Sequence, residues 1–405
     1  MTLQPSQEAF RPETGEAPFA LDEVFFSRTD PRGVIQAGNE VFRRVAAFDW
    51  GEMLNAPHKI IRHPDMPRAV FWLLWDHIQN GKPIAAYVKN KAKDGLYYWV
   101  FATIAPCEGG YISARIKPTS EIFALVQQEY AALRKIELED NISPEDSANL
   151  LLARLSKLGF EDYDMFGAQA LSQELLGREK GLGRLQTLRL DRFHSMLDAA
   201  EALRTETDAL IEVFRAVHTV PMNMQVIASR LEPSGGPVST LSKNYTEISR
   251  EMAGWFESNI AQEGSIFGAI QSTVAQSMLL EGMGEILTEC DDALQQETLS
   301  TDRVDIDKER CILGAQLKAY SSQSKQGLDQ VREEATRIQI ACKAMHRHVT
   351  GLSSTRVLTK IEAGRIQNVG EGLGDIIEQL GNFQDRISER LNIIEMQSEI
   401  ILSHG

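Results

Sequence analysis

The chain has 405 residues, 43% of them apolar and 24% charged, with 42 Lys and Arg against 57 Asp and Glu, a formal net charge of −15. That length suits two or three domains, and that composition excludes wholesale disorder. The acidic balance argues against general nucleic-acid binding, because phosphate contacts need clustered cations.

No apolar run approaches the roughly 20 residues that cross a bilayer, and residues 1–18 lack the basic and apolar segments of a signal peptide. The expected location is therefore the cytoplasm. Cys107, Cys290, Cys311 and Cys342 are scattered, with no CxxC pair, which points to free thiols, Cys342 packing within a helix.

Residues 1–23 read as a disordered leader. Residues 24–118 carry 13 Lys and Arg against 8 Asp and Glu, a net +5 that leaves −20 for the rest. A hairpin is predicted around Asp30-Pro31-Arg32-Gly33. Residues 68–79 have helical spacing, with Phe71, Leu74, Trp75 and Ile78 on one face. Tyr97 to Ala105 and Tyr111 to Ile116 read as strands joined at Glu108-Gly109-Gly110. Two strands, short helices and then three strands make a small α+β domain.

Residues 119–172 read as a helical linker. Ser143 is a predicted N-cap with Pro144 at the first helical position, followed by a stripe of Leu150, Leu151, Leu155 and Leu158. From residue 173 long helices are expected, since the last of the 14 prolines is Pro237. Leu328, Val331, Ala335, Ile338, Cys342, Met345, Val349 and Leu352 follow an unbroken 3,4 spacing, the seam of a left-handed supercoil. Leu203, Leu210, Val213, Val217 and Val220 continue that logic upstream. Breaks at Glu232–Pro237, Leu299–Asp302 and Gly370–Gly374 divide the region into four helices of an antiparallel bundle, with Ser300, Thr301 or Asp302 capping one of them.

The segment Pro57-His58-Lys59-Ile60-Ile61-Arg62-His63-Pro64-Asp65-Met66-Pro67 is dense in polar side chains beside rigid prolines. With Asn39 and Phe42, Phe71 and Trp75, Val88-Lys89-Asn90, Lys93-Asp94-Gly95 and Tyr98-Trp99-Val100, it resembles the PAS sensor domain of bacterial aerotaxis receptors. The likeness covers about residues 24–118. It implies an antiparallel five-stranded sheet with flanking helices that holds FAD and reads redox state or oxygen. Carried over residue by residue, it implies flavin contacts at Asn39, Arg62, His63, Asp65, Phe71 and Asn90, with Trp75 as an apolar wall. Ile84 stands where that family usually has Trp, which puts flavin affinity in question. Haem is the alternative cofactor, with His58, His63 or His77 as axial ligand.

Residues 361–377 resemble a chemoreceptor signalling tip, with a fainter copy at 223–241. Arg230 and Arg365 are 135 residues apart, consistent with a degenerate duplication. The resemblance implies a soluble receptor-like output that uses Glu362, Arg365 and Arg230 to bind chemotaxis coupling proteins, and it leaves a homodimer open. No Ser/His/Asp set, P-loop or HExxH pattern occurs, and His346 and His348 point to different helix faces, so neither an enzyme nor a metal site is expected. The alternative readings are a cofactor-free PAS scaffold, or a regulatory subunit of a separate kinase or cyclase.

Overall fold

Asp30 organises the first turn. Its carboxylate accepts the backbone N–H groups of Arg32 and Val34 at 2.8 and 2.9 Å, while Gly33 takes φ of +78°. In this computed structural model, which describes residues 11–184, 190–217, 222–223, 225–227, 236–260, 266–297, 304–365 and 371–405, that turn joins β1 (Phe25–Thr29) to β2 (Ile35–Gly38).

Three short helices follow: α1 (Glu40–Ala46), α2 (Trp50–Met53) and a 3-10 turn (His58–Ile61). Then come α3 (Arg68–Gln79) and the strands β3 (Ile84–Lys91), β4 (Tyr97–Cys107) and β5 (Gly110–Ile116). The sheet is antiparallel throughout, in the order β2-β1-β5-β4-β3. Side chains alternate along a strand. One face carries Ser27, Ser113, Arg115, Ala102, Ile104, Val88 and Asn90; the other carries Phe26, Arg28, Tyr87 and Phe101.

Both faces are covered. The second face is packed by α4 (Glu121–Glu139) and α6 (Tyr163–Gly181), between which lies α5 (Pro144–Lys157). Tyr87 contacts Phe101, Phe123 and Phe166 there. The fully buried Glu174 carboxylate accepts from the N–H groups of Thr119 and Ser120, the Ser120 hydroxyl and the Tyr87 hydroxyl, at 2.5, 3.1, 2.6 and 2.8 Å. A negative charge at the start of α4 also meets the positive end of its dipole.

Glu137 does the same for α3. Pro67 cannot cap that helix with a side chain, and the buried Glu137 accepts from Arg68 N–H and Ala69 N–H at 2.6 and 3.3 Å, and from Ser147 Oγ at 2.6 Å. Ser143 caps α5 through Asp146 N–H at 3.1 Å, with Pro144 at the first position. Of the expected leucine stripe only Leu151 and Leu155 are buried; Leu150 and Leu158 are exposed.

Of the expected leader, residues 11–23 are described, and they pack on the sheet. Ala17 N–H donates to Tyr97 O at 2.7 Å, and Phe19 meets Phe25 edge-on. The expected division at residue 173 falls inside α6, whose two halves pack in the same unit. By packing, the chain divides into Met1–Leu190 with Ala275–Gln326, and Asp191–Val274 with Gly327–Gly405.

The remaining helices are α7 (Asp191–Val217), α8 (Pro237–Ile260), α9 (Ile266–Gln296), α10 (Ile306–Arg365) and α11 (Glu371–His404). In the first unit, Arg28 of β1 forms a bidentate pair with Glu309 at 2.7 Å, both buried. In the second, α10 and α11 run antiparallel: Ser353 meets Gln384, and Arg332 reaches the Gly405 carbonyl. α7 lies alongside, with Phe214 on Phe383 and Glu206 on Arg390.

Every residue of the Leu328–Leu352 seam is buried, Cys342 included. All four cysteines are free. Asp305 caps α10, accepting Lys308 N–H at 3.0 Å, whereas the expected caps Ser300, Thr301 and Asp302 lie outside the described residues, as do Val220, Arg230 and Gly370. The expected break over Gly370–Gly374 is helix from Glu371 onward, since two glycines cost only about 1 kcal/mol each against Ala.

Glu174→Ala takes the acceptor from five donors, the Thr119 hydroxyl included. It should destabilise the first unit by roughly 2–4 kcal/mol, read as a lowered urea midpoint.

Candidate functional site

Between the first sheet face and α3 lies a cavity of about 270 Å³, just under the range of about 300–1,000 Å³ usual for small-molecule sites. Its apolar walls are the predicted α3 face, Phe71, Leu74, Trp75 and Ile78, with Val88, Ala102 and Ile104 from the sheet. Trp75 meets Tyr111 edge-on at 5.7 Å. Gly33 makes room for that indole: a Cβ there would stand 3.1 Å from it, on a backbone that disfavours side chains.

The floor is polar. Ser27 and Ser113 are paired across β1 and β5, and Arg115 lies two residues beyond Ser113. Arg115 is buried, and Nη2 donates to Ser27 Oγ at 2.9 Å and to His58 Nε2 at 2.7 Å. No carboxylate pairs with it among the described residues. Burial pushes its guanidinium down to about 10. Burial, and then the Arg115 charge, pushes His58 down to about 3, so its imidazole is neutral and accepts from Arg115.

Arg62 stands at the cavity mouth. Its guanidinium lies 3.6 Å over the Phe71 ring, and burial, with Arg134 and Arg68 nearby, lowers its pKa while Glu137 opposes that shift. Its backbone bridges to Asn90, which is buried and lines the cavity. An open groove of about 490 Å³ adjoins on the far side of Arg62, Phe71 and Trp75, and is lined also by Arg68 and Trp72.

Thus Arg62, Phe71, Trp75 and Asn90 meet at one cavity, and three expected contacts do not. Asn39 is consumed by the fold: it accepts from Phe26 N–H and Phe42 N–H at 2.9 and 3.2 Å and donates to Val24 O at 2.8 Å. Asp65 pairs outward with Lys89 at 2.6 Å, and His63 accepts Asp65 N–H at 3.2 Å; neither lines the cavity. Ile84 is buried at the start of β3 and also lies off the cavity wall.

The geometry does not favour haem. His58 gives Nε2 to Arg115, His63 is off the cavity, and His77 spends both nitrogens on Leu73 O and Asp164. Arg115, Ser113 and Ser27 were not singled out from the sequence, although an Arg at an inward position of a strand is the available signal. Among the described residues no His, Cys, Asp and Glu cluster suits a metal ion. Glu362 and Arg365 pair at 2.7 Å near the end of α10, beside the exposed Val357, Leu358 and Ile361.

Residues 37–111 match the PAS fold family. The sheet and its short helices are a PAS domain. The chain is 39% identical over 121 residues to the aerotaxis receptor of Escherichia coli (strain K12), which is 29% of this chain and 24% of that receptor. It therefore spans about a quarter of that relative's length. A solved structure, the light state of the blue-light photoreceptor Aureochrome1 LOV, is 20% identical, covering 26% of this chain and 88% of that one with a TM-score of 0.22. No described helix is long and apolar enough to cross a membrane.

The depressed His58 value makes a pH prediction. The unfolded imidazole takes up a proton below 6.5, the native one only near 3, so this contribution to stability is present above 6.5 and is lost as pH falls towards 3. Its slope is about 1.4 kcal/mol per pH unit. Urea midpoints of the wild type and His58→Asn at pH values of about 7.5, 6 and 5 should converge as pH falls.

Proposed function

We propose that this protein is a signal-transduction sensor of the cytoplasm, not an enzyme, whose PAS cavity takes the ring of FAD and whose helices pass its state to a chemotaxis-type partner. The observation that carries this reading is a cavity walled by Phe71, Leu74 and Trp75, lined also by Asn90, into which Ser113 and Arg115 turn unpartnered polar groups. It has room for a fused planar ring. Arg62 sits between it and the open groove, suited to hold the diphosphate through a planar fork. FAD, when bound, supplies reversible electron transfer.

The chain's own part is transmission. Val88 and Asn90 of β3 face the cavity, and Tyr87, the residue before Val88, faces away, donating to Glu174 beside the α4 cap Ser120. A shift of Asn90 therefore moves the strand that anchors the start of α4. A packed helical assembly with discrete alternatives turns small shifts into a two-state output. The exposed end of α10, with Val357, Leu358, Ile361, Glu362 and Arg365, is the partner surface in this reading.

An absorption spectrum of the full chain, with and without reductant, tests it. Flavin bands that bleach on reduction, and that are lost in Arg62→Ala with at least tenfold weaker FAD binding, are the expected result. A chain that stays colourless after FAD is added leaves a PAS-capped interaction scaffold.

A further inference from the structure

Arg115 is the anomaly of the cavity. A buried guanidinium normally faces a carboxylate, because leaving a charge in a dry interior without one is costly. Here its partners are a hydroxyl and an imidazole, both neutral acceptors, and both take Nη2. Nη1 is buried with no partner, and so is Ser113 Oγ, two residues earlier on the same face of β5. Both residues line the cavity. The other buried cation of the sheet, Arg28, is fully matched by Glu309. Arg115 is therefore a retained, uncompensated positive charge aimed at a ligand. A guanidinium only donates, so the ligand atom that meets Nη1 must be an acceptor.

We propose that Arg115 and Ser113 are the receptor for a carbonyl oxygen of the planar ring in the cavity, with the guanidinium drawing electron density onto that oxygen. This rests on the flavin reading above and adds two residues to it. The ring's edge completes the valence of Nη1 and Ser113 Oγ, and the fixed positive charge favours the more electron-rich state of the ring. Arg115 thus tunes the redox potential as well as the affinity, whereas Arg62 at the mouth acts on affinity alone.

The test uses the full chain loaded with FAD, measuring affinity, midpoint potential and the infrared carbonyl bands of the bound ring. Arg115→Met should bind FAD at least tenfold more weakly, at a lower midpoint potential, with a carbonyl band moved to higher frequency. Arg115→Lys should restore most of the potential, which a purely structural role would not require. Ser113→Ala, which removes one oxygen and no charge, should move the same band with the fold intact; it keeps the test decisive if Arg115→Met does not fold. A wild type that binds FAD, with unmoved bands and potential in the variants, overturns the inference and leaves the flavin reading standing. A wild type that binds no FAD overturns both.

Discussion

The first unit is built around a sheet with no solvent face. One side encloses a cavity and the other is sealed by helices, so each strand must alternate between two different environments. β3 shows the consequence most directly. Val88 and Asn90 belong to the cavity, whereas Tyr87 is locked in an aromatic cluster and hydrogen-bonded to Glu174. No displacement of one face leaves the other untouched, since the two sets of side chains share a backbone only a few ångströms thick. The same constraint explains why Glu174 is a carboxylate. Five donors converge on it, and the two oxygens of a carboxylate offer enough lone pairs to accept them together.

Buried charge is handled in three ways in this unit. Glu174 and Glu137 are spent on helix starts: at Glu174 N–H groups, hydroxyls and the dipole take the place of a cation, and Glu137 adds an ion pair with Arg134. Arg28 and Glu309 neutralise one another in a bidentate pair. Arg115 receives neither treatment: its guanidinium meets Ser27 and His58 and lines the cavity.

The local elements were largely legible. The α3 face was readable from 3.6-residue spacing because all four of its residues serve one purpose, lining the cavity. The Leu328–Leu352 seam was readable because eight positions repeat one environment. The covering of the second sheet face was not, since it depends on contacts between β1 and residues far along the chain, for which periodicity carries no signal. Nor was Arg115, one inward-facing cation in an alternating strand. His63 and Asp65 lie in the most distinctive stretch of sequence and Asn39 belongs to the same family pattern, yet they shape the loop and hairpin around the cavity and leave its lining to others. Distinctive sequence here reports a demanding backbone as much as a ligand contact.

The Arg28–Glu309 pair joins positions 281 apart. The unit that holds the sheet is thus discontinuous, closed only by residues that come after an intervening helical stretch. During synthesis the sheet is finished long before its last covering segment leaves the ribosome, and until then the Arg28 face is open to water. Biogenesis of the sensor domain is thereby tied to completion of the first turns of α10. A chain cut short upstream of Glu309 would present an unfinished sheet face, the kind of surface that chaperones retain and proteases remove.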